Sequence, residues 1–153
     1  MKPKFKYNDG GRSQAGFQGH TGDCVTRAIA IATELPYEKV YNDLFELAKQ
    51  HRDTKRDKLA KAFQSGKQNV SPRTGVHKTI YNAYMKSLGW DWIPAMAIGQ
   101  GCKVHLRKNE LPAGKIVARV TKHMVAVIDG VINDTYDCSR NGTRCVYGYF
   151  VKR

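Results

Sequence analysis

The chain has 153 residues, with 26 Lys and Arg against 13 Asp and Glu, a formal charge of +13. That length suits a single domain over residues 1–153, and an apolar content of 41% is enough to close one core. No run approaches the ~20 apolar residues of a membrane helix, and the charged opening MKPKFKYNDGGR has no apolar stretch behind it, which excludes a spanning or exported reading and leads us to expect a cytoplasmic protein without a membrane partner.

Residues 1–21 are polar and Gly-rich and read as an extended arm or loop. Residues 22–90 read as helical. Asp23 stands at an N-cap position, and Val25, Ala28, Ile29, Ala30, Ile31 and Ala32 cover every side of a helix ended by Pro36, so that helix is expected at the centre of the domain. A second helix begins near Pro36 and carries Val40, Tyr41, Leu44, Phe45, Leu47 and Ala48 at helical spacing. It runs into the basic segment 50–78, where Arg52, Lys55, Arg56, Lys58, Lys61, Lys67, Arg73 and Lys78 are opposed only by Asp53 and Asp57. That segment reads either as a solvated face or as a surface for nucleic acid. After the loop Ser71-Pro72-Arg73-Thr74-Gly75, a third helix extends from Val76 to Leu88 and stops at Gly89.

Residues 95–153 change to strand periodicity. Segments 116–120, 123–128, 131–136 and 144–151 are rich in β-branched and aromatic residues, and Asp129-Gly130 and Asn141-Gly142 are two-residue hairpin signals. Helices first and strands afterwards give an α+β domain in which a meander packs on the helices. The second turn would set Cys138 opposite Cys145. With no export signal, all four cysteines (Cys24, Cys102, Cys138, Cys145) are expected as reduced thiols, these two adjacent but unbonded. No metal is expected, because His20, His51, His77 and His105 lack ligand spacing to the thiols. Gly99-Gln100-Gly101 lacks the rest of a phosphate-loop fingerprint, so no cofactor is expected either.

Cys24 would sit in the first turn of a helix, where unpaired N–H groups and the helix dipole favour thiolate over thiol. The alternative is a small buried hydrophobe. A base can be sought by register. If Asp129-Gly130 is a two-residue turn, Ile128 faces Val131 and the pairing continues to Val125 with Asp134 and His123 with Tyr136. His123, Val125, Ile132, Asp134 and Tyr136 then share one face, and Asp134 is the diagonal neighbour of His123, close enough to orient the imidazole.

Gln18-Gly19-His20-Thr21-Gly22-Asp23-Cys24 resembles the Gln-Gly-x-x-Gly-x-Cys opening of papain-like cysteine peptidases, and His123-Met-Val-Ala-Val with Ile132-Asn-Asp134 resembles the later His and Asp/Asn segments, especially of the compact bacteriocin-processing peptidases. The resemblance implies a papain-like fold, a central helix bearing Cys24 packed on an antiparallel sheet bearing His123 and Asp134, with Gln18 as an oxyanion donor. It leaves residues 36–115 unmatched. Val25 and Thr21 depart from the aromatic residue and the extra cysteine of the plant enzymes. The chain is also similar to small phage or prophage proteins, which would place it in a host cytoplasm.

Two functions are compatible with these features. One is a cysteine hydrolase acting on a peptide or amide, recruited by its basic surface to an acidic protein; the other is a basic module that binds nucleic acid or a host protein on the same fold without catalysis.

Overall fold

The computed structural model describes residues 3–17, 22–96 and 99–153. Among these, four helices and a six-stranded mixed sheet form an α+β arrangement: β1 (Lys4–Tyr7), α1 (Cys24–Thr33), α2 (Tyr37–Thr54), α3 (Lys58–Ser65), α4 (Lys78–Ser87), β2 (Trp90–Pro94), β3 (Lys115–Val120), β4 (His123–Ile128), β5 (Val131–Asp134) and β6 (Gly148–Lys152). The strand order is β1-β5-β4-β3-β6-β2, with β1 parallel to β5 and every other pair antiparallel. No helix among the described residues is long and apolar enough to cross a membrane.

The centre of the molecule is α1. Val25 through Ala32 are all buried, and Ile29 is fully enclosed. The helix lies over β4 and β3, in one apolar cluster with Val117, Met124, Ala126 and, from β6, Phe150. Side chains of successive strand residues alternate, so Ile116, Ala118, Val125, Val127 and Ile132 point into a second apolar layer, closed by Leu106 and Val146 from the connecting segments. The sheet is therefore covered on both faces. Each fully buried aliphatic side chain in these layers contributes about 1.5–3 kcal/mol by removal from water.

Three local expectations are corrected. The arm is not irregular throughout, since Lys4–Tyr7 pairs in parallel with Val131–Asp134. Lys4-Phe5-Lys6-Tyr7 alternates in polarity, but all four residues are exposed, so no buried face marks the strand. The basic segment contains a helix of its own, α3, started by the Asp57 carboxylate accepting from Ala60 N at 2.8 Å and ended at Gly66 in the left-handed region. Finally, Asn141-Gly142 is not a two-residue hairpin turn. Arg140, Asn141 and Gly142 all have positive φ, and Arg144 N bonds back to Ser139 O, so the segment coils tightly and β6 begins only at Gly148.

That geometry separates Cys138 from Cys145. Residues 104–106 instead run beside 144–146, through Leu106 N to Arg144 O and Val146 N to Val104 O, and bring Cys102 to Cys145. The two form a disulfide across a Cα separation of 5.8 Å, which overturns the expectation of four reduced thiols; Cys24 and Cys138 are free. A loop of 43 residues closed in this way stabilises the folded state by about 4 kcal/mol through lost chain entropy in the unfolded ensemble.

β2 closes the far edge on β6. Gly148 is required there, because a Cβ would lie 2.3 Å from Cζ2 of Trp92, whose ring rests on Phe150 with centroids 4.9 Å apart.

Candidate functional site

The β4–β5 hairpin forms as its turn dictates. Asp129 and Gly130 both have positive φ, and Ile128, Val127 and Ala126 pair with Val131, Ile132 and Asn133. Pairing stops there, so the expected pairs Val125 with Asp134 and His123 with Tyr136 do not form. The reason is that the arm takes over: Asn8 N donates to Asp134 O at 2.9 Å, and Thr135 N folds back onto Asp134 Oδ1 at 2.7 Å. The diagonal contact survives this bend. His123 Nε2 and Asp134 Oδ2 are 2.6 Å apart, both side chains nearly inaccessible to solvent. Tyr136 keeps its ring 5.4 Å from that of His123.

An ionised carboxylate only accepts, so Nε2 carries the hydrogen and Nδ1 remains as the ring atom able to exchange a proton with a thiol. Burial alone would disfavour the charged imidazole, but hydrogen bonding to Asp134, Cys138 and Cys24, with the electrostatic pull of Cys24, pushes the His123 pKa up to about 12. Asp134 is the complement. Burial would raise its carboxyl, yet the bond to His123, its charge, the Thr135 N–H and Arg27 hold it below the ordinary carboxylate range. The pair is thus imidazolium and carboxylate at neutral pH.

Cys24 is the first residue of α1 and half-buried. Asp23 occupies the N-cap position, but its side chain caps nothing. Its carboxylate, 1% exposed, is committed to Arg12 Nε at 2.9 Å, to Arg27 and to the Tyr37 hydroxyl. The N–H groups of the first turn are therefore not occupied by that side chain. Burial and the Asp23 bond push the Tyr37 hydroxyl pKa up, so Tyr37 remains a donor.

Arg27 links this cluster to the His–Asp pair. It pairs with Asp23 one turn before it and places Nη2 3.4 Å from Asp134 Oδ1. A continuous buried chain results: Arg12, Asp23, Arg27, Asp134, His123. Burial opposes the guanidinium charge, but Asp23 and Asp134 overcome that and keep Arg27 charged. The arm closes the chain's outer end. Asp9 ties residues 9–13 into a turn by accepting from Gly11 N and Ser13, Phe17 packs against Tyr37 and Tyr41, and a Cβ on Gly10 would stand 3.0 Å from the Arg27 carbonyl oxygen.

Cys24 and His123 line one cleft of about 1120 Å³, bounded by Tyr7 and Arg12 from the arm, by the loop entering α4 around His77, and by Lys122. The cleft is lined by the Cys24 thiol, the His123 imidazole and the first residues of α1. That set of groups can perform nucleophilic attack on a carbonyl. Of the residues singled out in sequence, Cys24, His123 and Asp134 come together, and Gln18 lies outside the described residues, as does His20. Sequence reasoning missed Arg27, Asp23's true partners and Cys138. Arg27 carried a signal: an arginine inside the run Val25–Ala32, on a helix expected to be buried all round, must find a carboxylate. Comparison with known proteins finds no matching family model, no matching curated protein and no matching solved structure.

Proposed function

We propose that the protein is a papain-like cysteine hydrolase that cleaves a peptide or amide bond through a thioester intermediate. The observation that carries this reading is the 2.6 Å contact of His123 with Asp134, with Cys24 at the start of the central helix lining the same cleft as the imidazole. Cys24 and His123 act as a thiolate–imidazolium pair in which the imidazole already holds the thiol proton, and Sγ attacks the carbonyl carbon while the first-turn amides of α1 receive the oxyanion. His123 then returns the proton to the departing amine, and water, deprotonated by the same imidazole, releases the acid and restores the thiol. Gln18 is assigned as a second oxyanion donor on the sequence resemblance alone; loss of such a donor costs about 10²–10³ in rate. The test is site-resolved alkylation by iodoacetamide at mildly acidic pH. Cys24 reacts faster than a free cysteine, and at least about tenfold more slowly in His123→Ala; equal rates in the two proteins would remove the reading.

A basic binding module is the second reading, favoured by the exposure of Lys55, Arg56, Lys58, Lys61 and Lys67 along the end of α2 and through α3. It predicts nucleic-acid affinity that falls steeply with salt and is indifferent to Cys24→Ala.

A further inference from the structure

Cys138 has no part in the proposed chemistry, yet it stands beside it. It is a free thiol, 2% exposed, in the loop that leaves β5. Its sulfur, an imidazole nitrogen of His123 and a carboxylate oxygen of Asp134 all lie within 4.8 Å of one another. Burial of a cysteine against Leu106 and Val146 accounts for its packing but not for its placement on a His–Asp pair. We infer that His123, Asp134 and Cys138 form a binding site for a divalent ion of the zinc class.

Three observations support it. The donor set is one nitrogen, one oxygen and one sulfur, the mixture that a borderline-soft tetrahedral ion takes; bonds of about 2.0–2.3 Å set such donors about 3–4 Å apart, so the 2.6 Å His123–Asp134 pair opens slightly and the sulfur closes on it. A thiolate and a carboxylate bring two negative charges to a dication in a site with little water, where an uncompensated charge would be costly, and Arg27 draws on Asp23 as well as on Asp134. Asp134 is also prepared as a ligand. Thr135 N at 2.7 Å and Arg27 Nη2 at 3.4 Å hold Oδ1, while Oδ2 meets His123 Nε2 inside the cluster, where the ion takes the place of the shared hydrogen; such outer partners orient metal-binding carboxylates. His123 borders the cleft, so the ion enters from there and a water completes its fourth position. Binding replaces the Cys138 thiol proton and the imidazole proton that the ion displaces, both released to solvent.

The consequence for activity rests on the hydrolase reading above. An ion held by His123 and Asp134 removes the base from Cys24, so loading switches the nucleophile off.

The test separates the two. Titration of the intact, disulfide-bonded protein with Co²⁺ is expected to give one equivalent of thiolate-to-cobalt charge-transfer absorption, competed away by Zn²⁺. The band persists in Cys24→Ser and disappears in Cys138→Ala. Asp134→Asn, which keeps the side-chain shape, weakens it, and thermal melts of each variant verify folding. Absence of the band in the parent protein, or its loss in Cys24→Ser with survival in Cys138→Ala, overturns the site. The absorption does not depend on catalysis, so a cobalt band in a protein whose Cys24 proves unreactive would retain the metal site and reject only the hydrolase.

Discussion

Arg27→Met isolates the ionic chain from the packing around it, because methionine keeps most of the aliphatic stem. The arginine makes one strong contact, to Asp23, and one at 3.4 Å, to Asp134. Neither carboxylate is orphaned by its loss. Asp23 keeps Arg12 and Tyr37, and Asp134 keeps His123 and Thr135 N. The expected cost is therefore that of charge-assisted hydrogen bonds, about 1.5–3 kcal/mol for the first and a fraction of that for the second, near 3 kcal/mol together. Asp23→Asn should cost more, roughly 3–5 kcal/mol, since it removes the buried carboxylate that Arg12 and Arg27 share and leaves Arg27 with the 3.4 Å contact to Asp134. Urea unfolding at neutral pH measures both, and the double variant should cost less than the sum. The acid limb supplies an independent check. Asp134 is held below its unfolded value, so it contributes stability above that value, about 3.9, and loses it as pH falls through the folded one. Without Arg27 the folded value rises, and acid unfolding moves to higher pH. A variant within about 1 kcal/mol of the parent, with its acid limb unmoved, would refute the ionic-chain argument.

Reduction of the Cys102–Cys145 bond, or Cys102→Ala, should lower stability by up to about 4 kcal/mol, read as a shift of the urea midpoint with and without reductant. Gly148→Ala forces Trp92 off Phe150 and should cost about 1–3 kcal/mol, visible in tryptophan fluorescence as well as in the melting temperature. His123 acts in the opposite sense to Asp134. Its folded value is raised, so its contribution is complete below the unfolded value of about 6.5 and declines as pH rises toward about 12; stability should fall with pH across the alkaline range, and His123→Gln should flatten that slope.

Much of the architecture is legible where burial imposes a period. The run from Val25 to Ala32 is apolar on all sides and becomes the enclosed helix; Val40, Leu44 and Ala48 recur at helical spacing and line the buried face of α2. Asp129-Gly130 needs two left-handed residues and so names its own turn and the register on either side. The elements that escape notice lack such a constraint. β1 has four exposed side chains and is held by backbone bonds to β5, and α3 lies within a segment whose composition is dominated by charge. Asn141-Gly142 carries the same hairpin signal as the earlier turn, but Arg140 also adopts positive φ and the chain coils instead of reversing.

The candidate site divides along the same line. His123 and Asp134 are eleven residues apart, joined by a turn of fixed geometry, so their contact follows from counting. The partners of Arg27, Cys138 and Cys102 depend on how α1 is set against the sheet and how the 104–106 segment lies along 144–146, and nothing within a few residues of each encodes that choice. A buried charge still announces that a partner exists. Arg27 on an enclosed helix requires a carboxylate, and among the described residues Asp134 on β5 and Asp23 one turn back answer it. The arm belongs to the same logic. By adding a strand beside β5, bonding the Asp134 carbonyl through Asn8 and reaching Asp23 through Arg12, it fixes both ends of the ionic chain, so the geometry at Cys24 depends on residues that sequence periodicity assigns to a loop.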